Sequence, residues 1–226
     1  MDLKHWNNEI KKLREIILKL DKIEESKSLS LSLHSMVHLS IMSGINKKTF
    51  EDELWEGLDE NTFKTSKNEK GRTIVYGIWH STRIEDITMN LLVAGDKQIF
   101  SRGNWKERIN SKIIDTGNTM SEIEIMEFSN NINVQELKKY RIEVGRQTRN
   151  IIKNLSIEDM KRKFDKHRLQ RILDEGAVVD VEASNWLIDF WGRKNVSGII
   201  LMPVTRHQVV HINESLSAKK KSRANK

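Results

Sequence analysis

Seven histidines and no cysteine set the chemistry open to this chain. Without thiols it has no disulfide, no thiolate metal site and no cysteine nucleophile, so a bound metal must be held by imidazole, carboxylate or backbone oxygen. The histidines are His5, His34, His38, His80, His167, His207 and His211. Ile200, Val204, His207, His211 and Glu214 recur at three- and four-residue steps, which places them along one face of a helix. Two imidazoles one turn apart can share a metal ion. His80 falls on a second such face with Ile84, Ile87 and Leu91, so it also points inward and can supply a third ligand. Three imidazoles with a position left open is the pattern of a catalytic metal site rather than a structural one. Neutral imidazole suits Zn, Ni, Fe or Mn. The plainer alternative is three buried histidines satisfied by hydrogen bonds alone. His34 and His38 form a rival pair four residues apart, read here as helix-packing groups or as groups that hold the ligands in orientation. His5 and His167 sit among charges and read as surface residues.

The elements that must carry these residues are helices. The chain has one proline and few alternating apolar runs, while three- and four-residue spacing recurs throughout. Long helices are expected near residues 2–43, 72–94, 135–154 and 197–217. Gly95 is the stop of the second. Residues 99–119, rich in Gly and Asn, read as a long loop or lid containing a short helix. Ser156 with Asp159 reads as a helix cap. Pro203 cannot donate to the carbonyl of Ile199, so the last helix should kink or begin irregularly there. The expected architecture is all-α: one domain over 1–217, an up-down four-helix bundle with extra short helices in the connections. Residues 218–226 read as a basic, disordered tail.

Composition narrows the class further. Of the 226 residues 37% are hydrophobic and 31% charged, and the six Trp help to build a core. No apolar stretch is long enough to span a bilayer, and the charged N-terminus does not read as a leader, so a cytoplasmic protein with no membrane partner is expected. The net charge is +7, part of it in the C-terminal tail. With no aromatic ladder among the basic residues, nucleic acid is not an expected partner.

The segments GIWHSTRIEDITMNLLVAG (77–95) and MPVTRHQVVHINES (202–215) resemble the DinB-like, or YfiT-like, superfamily of bacterial metal-binding four-helix bundles. In that family one ligand comes from the second long helix and two from an H-x-x-x-H on the fourth. The matching residues here are His80, His207 and His211. The match covers these two regions, and elsewhere only helical character agrees. The resemblance implies a divalent metal in an open three-histidine site. In some members that site serves hydrolysis, isomerisation or transfer of a low-molecular-weight thiol.

Two functions follow: a metal-dependent hydrolase or thiol-dependent transferase acting on a small molecule, or a non-catalytic, stress-related metal-binding protein. A homodimer is expected in either case. A fourth ligand from His34, His38 or Glu214 would favour the second reading, and an open site lined by Trp79 and Arg83 the first. Glu214 could orient a ligand or act as base. Glu85 and Asp86 read as a helix-surface pair. Arg83 could bind an anion or pair with a carboxylate, and Asn90 could support a ligand or a helix contact. Trp186, Phe190 and Trp191 could be core or substrate wall.

Overall fold

The computed structural model describes residues 2–224. Among them the regular elements are helices, and β pairing is limited to isolated bridges joining Lys67 to Thr73 and Lys163 to Asn195. In chain order the helices are α1 Leu3–Ile16, α2 Ile23–Met36, α3 Ser40–Ser43, α4 Phe50–Trp55, α5 Glu60–Thr65, α6 Ile74–Asp86, α7 Ile99–Arg102 and α8 Trp105–Ile109. They continue with α9 Glu122–Asn131, α10 Val134–Asn154, α11 Ile157–Lys161, α12 Lys166–Asp174, α13 Glu182–Gly192, α14 Val196–Leu201 and α15 His207–Ala224. π-helical turns prolong α6 over Ile87–Ala94 and join α14 to α15 over Met202–Arg206. Among the described residues no helix is long and apolar enough to cross a membrane.

Helix α6 is the axis of the fold. Every residue from Thr73 to Val93 is buried. Its N-terminal half (Ile74, Val75, Ile78, Trp79) packs into one apolar cluster, and its C-terminal extension (Ile84, Ile87, Leu91, Leu92) into the other. Helices α15 and α10 both pack on α6, and α2 packs on α10 and on the π turn that leads into α15. Gly95 ends the α6 extension in the left-handed conformation, the stop its position implied.

Three sequence expectations change. The first long helix, expected over 2–43, is three: α1, α2 and the short α3. The chain leaves α1 at Ile17, passes through extended backbone at Lys19 and doubles back, so that α1 packs on α2. The physical reason is burial: Trp6, Ile10, Leu13 and Ile16 line one stripe of α1, and folding back covers it. Each such side chain contributes about 1.5–3 kcal/mol when removed from water. A single rod would leave the stripe exposed.

The tail is also not frayed at residue 218. Helix α15 continues to Ala224 because Lys219 is buried there, its Nζ donating to the carbonyls of Glu53 (2.7 Å), Leu54 (2.8 Å) and Glu56 (2.6 Å). These belong to the C-terminal end of α4, where unpaired carbonyls attract a cation. Asn225 and Lys226 lie outside the described residues.

Nor are Glu85 and Asp86 a surface pair, for both are fully buried. Asp86 accepts from the backbone N–H of Ile99 (2.8 Å) and Phe100 (2.9 Å), from Tyr140 Oη (2.6 Å) and from Arg83 Nη1 (3.1 Å). It thereby ties the first turn of α7 to α6 and α10.

A second buried cation, Arg141 on α10, joins more of the chain than any other side chain described here. It donates to Glu51 Oε2 (2.8 Å), Val37 O (2.9 Å), Thr82 Oγ1 (3.0 Å), Gln208 Oε1 (3.1 Å) and Ser81 Oγ (3.3 Å). Breaking one member of a buried ion pair strands the other charge and costs about 3–5 kcal/mol. Arg141→Met should therefore lower unfolding stability by about that amount in equilibrium urea titrations. Adding Glu51→Gln should recover part of the loss. An equal loss in both variants would mean that the stranded carboxylate is not what costs.

Candidate metal centre

The site starts from a close helix approach. Gly77 of α6 faces Ser215 of α15, and a Cβ at Gly77 would lie 3.0 Å from Ser215 Oγ. A side chain there would hold the helices apart. The approach brings His80, one turn beyond Gly77, against His211, one turn before Ser215.

The ring centroids of His80 and His211 are 4.9 Å apart, those of His80 and His207 5.2 Å, and those of His207 and His211 4.5 Å. The Nε2 atoms of His207 and His211 are 3.1 Å apart. One potential ligand nitrogen from each of the three rings lies within 4.8 Å of the other two. Two nitrogens at this separation, each about 2.05 Å from a shared ion, subtend about 100°, which suits tetrahedral or facial ligation.

The surroundings prepare the rings for ligation. His80 Nδ1–H donates to Thr116 O at 2.9 Å, so the lone pair is left on Nε2. Behind His211, Glu214 Oε2 lies 3.3 Å from Nδ1, and Lys70 holds the other carboxylate oxygen at 2.7 Å. The His211 ring and then the Lys70 ammonium hold Glu214 down to about 2, so it stays anionic. Burial, helped by the neighbouring His211, pushes His80 down to about 3, and burial likewise pushes His207 well below its ordinary value. Both are therefore neutral, as metal ligands must be. Glu214 stands on the Nδ1 side of His211, away from the shared nitrogens; it orients that ring and is not a fourth ligand.

The Thr116 contact belongs to a larger arrangement. Four successive backbone carbonyls of one loop accept from side chains on one face of α6. Arg83 Nε donates to Ile114 (3.0 Å), Trp79 Nε1 to Asp115 (3.2 Å), His80 to Thr116, and Tyr76 Oη to Gly117 (3.1 Å). Trp79 and Arg83 thus hold a loop and do not line the cavity beside the histidines, so the lining that would have favoured an enzyme is not found. Arg83 is also bonded to Asp86, Tyr140 and Gln98, which leaves it no role in binding an anion. Asn90 donates to Asp86 Oδ1 (2.8 Å) rather than supporting a ligand.

A cavity of about 160 Å³ opens beside His80 and His207. Its far wall is α13, through Trp186, Leu187, Phe190 and Trp191, and its floor includes Met202 and Pro203. The helix α13 aromatics are therefore wall as well as core. Val204, expected on the same face as His207, is instead part of the main apolar cluster. The cause is Pro203: without an N–H it interrupts the α-helical ladder, and the chain takes a π turn in which His207 N–H reaches back to Met202 O. The wider turn rotates Met202 and Pro203, not Val204, under His207.

His34 and His38 do not join this centre. They meet Glu85 instead, with His34 Nε2 2.8 Å from Oε1 and His38 Nε2 2.9 Å from Oε2, all three fully buried. These three groups are close enough to hold an ion of their own. The contacts argue for a hydrogen-bonded clamp, since each ring meets its own oxygen of Glu85; Nδ1 of both rings is buried without a partner, as is Nδ1 of His207 and of His211. With Nε2–H donating to Glu85, each orphan is only an unused lone pair. The clamp fixes the end of α2 to α6. The pair's spacing pointed to a helix-packing role for His34 and His38 but not to Glu85, which on a charged stretch looks like surface. Thr116 was equally hidden, since it acts through its backbone.

The chain matches no protein-family model and no curated protein sequence.

Burial, opposed by Glu85, pushes His34 from 6.5 down to about 4. Between these values the unfolded chain binds more protons than the folded one. The stability tied to His34 is thus whole above about pH 6.5 and is lost as pH falls towards about 4. Thermal melts at roughly pH 7.5 and pH 5 should show a larger drop in the wild type than in His34→Gln. Equal drops would remove His34 from the acid sensitivity.

Proposed function

We propose that this chain is a DinB-like four-helix-bundle protein, built on α2, α6, α10 and the α14–α15 segment, that binds one divalent transition metal through His80, His207 and His211. We further propose that it is an enzyme acting on a small molecule, a metal-dependent hydrolase or a thiol-dependent transferase. The observation that carries the reading is the convergence of three imidazoles from two helices, with the His80 tautomer set by Thr116 and the His211 ring backed by Glu214.

The residues fit a cation of the Zn, Ni, Fe or Mn type, which prefer imidazole nitrogen. Such a cation would supply Lewis acidity, lowering the pKa of a bound water or thiol towards neutrality. The chain's own part is to hold three nitrogens in place, to keep those of His80 and His207 unprotonated by burial, and to limit water with the α13 aromatics. The groups that could close the site as a purely structural one are engaged elsewhere: His34 and His38 on Glu85, and Glu214 on His211 and Lys70. That favours an open, reactive site over a metal that only stabilises the bundle. Among the described residues lining the cavity none is a carboxylate, so this wall provides no side-chain general base.

Elemental analysis of untagged protein tests the reading. About one transition metal per chain is expected, lost in the triple variant His80→Ala, His207→Ala, His211→Ala and retained in His34→Gln, His38→Gln. A wild type that takes up none of Zn, Ni, Mn or Fe would overturn it. Two ions per chain, one lost with His34 and His38, would overturn the clamp.

A further inference from the structure

The walls of the cavity beside His80 and His207 carry information about what enters it. We infer that the cavity is a binding site for an uncharged, ring-sized apolar group that carries one polar atom, such as an aryl or heteroaryl amide. This rests on the site proposed above, because the ligand would lie against two of the three histidines.

Size comes first. The cavity measures about 160 Å³. An engineered apolar cavity of about 150 Å³ holds a benzene, so one six-membered ring with a small substituent fits here and a peptide or a nucleotide does not. Chemistry comes next. The lining is Ile84, Leu187, Met202, Pro203 and the aromatic faces of Trp186, Phe190 and Trp191, interrupted only by His80, His207 and Asn118. Among the described lining residues there is neither an acid nor a Lys or Arg. Apart from the proposed ion, an anionic ligand would give up its hydration with no cationic side chain to meet it, and a cationic one with no carboxylate to meet it. A flat uncharged ring loses little and gains contact with three aromatic faces.

Asn118 supplies orientation. It follows directly on the loop whose carbonyls are fixed to Tyr76, Trp79, His80 and Arg83, so its backbone is held while its side chain can serve a ligand. A carboxamide donates and accepts, which suits an amide, hydroxyl or carbonyl on the ring. Trp186 is 53% exposed although it lines the cavity, which puts it at the mouth. A substituent on the ring can leave past it, so the leading ring, rather than the whole molecule, is what this cavity selects.

The test uses benzamide, benzoate and benzamidinium, three probes of one shape that are respectively neutral, anionic and cationic near neutral pH. Each is titrated by calorimetry into the full chain as purified and after chelation, with metal content measured on the same samples. In the chelated chain no ion can recruit the anion, and benzamide should bind at least tenfold more tightly than either charged probe. Leu187→Trp, which fills the cavity, and Trp186→Ala, which removes a wall at an exposed position and spares the core, should each weaken benzamide binding at least tenfold. A charged probe that binds the chelated chain as tightly as benzamide overturns the assignment. So does benzamide binding unchanged by Trp186→Ala, or no benzamide binding to the folded chain. Metal bound without a benzamide site would sink this inference alone, and a benzamide site without metal would sink the metal reading alone.

Discussion

A guanidinium buried among helices imposes more order than any apolar contact around it, because a charge without water must be met by acceptors in fixed directions. Arg141 is met by five. Three of them adjoin histidines in sequence: Val37 precedes His38, Ser81 follows His80, and Gln208 follows His207. The three elements that carry the buried histidines are therefore each pinned at a residue beside an imidazole. A constellation of ligands has to be held to within about 0.5 Å to work, and side-chain packing alone rarely gives that precision. Here one cation sets the heights of α2, α6 and α15 together, and Gly77 sets the distance between the last two.

The polar interior of α6 extends the same logic outward. A loop inside a protein must find partners for its carbonyls, and the segment around Ile114 to Gly117 finds them in side chains instead of in a sheet. One of those side chains is His80. The satisfied loop and the chosen tautomer are thus a single interaction seen from two ends. His80 differs from the other buried histidines in this respect. The outer nitrogen of His80 is hydrogen-bonded to the loop, while those of His207, His211, His34 and His38 are buried without a hydrogen-bond partner.

Much of this was legible in the residues, and the failures have a common cause. The apolar faces bearing His80, His207 and His211 could be read because helical periodicity projects side chains predictably, and the three rings do converge. The Ser156 and Asp159 cap and the Gly95 stop were equally local and equally readable. Periodicity is blind to partners far along the chain. Glu85, Asp86 and Arg83 looked like surface or ligand-binding charges because their acceptors and donors lie on α2, α10 and the 98–117 connection. Lys219 looked like tail for the same reason, since the carbonyls that hold it end a helix more than 160 residues earlier. The reversal between α1 and α2 was hidden because the apolar spacing continues across it.

The π turn at Met202–Arg206 places one more residue in a turn than an α-helix has, and each residue of an α-helix advances the side chains by about 100°. Everything after it, including both α15 histidines, is set by that offset. The inward orientation of the pair is thus a matter of helical phase, decided upstream of the ligands. Deleting a single codon within this turn would leave both histidines in the sequence and both on the helix, yet carry them about a quarter-turn away from His80. A centre of this kind can be gained or lost in one step without any ligand being replaced, so comparing such chains by the presence of H-x-x-x-H alone would misjudge which of them can bind an ion.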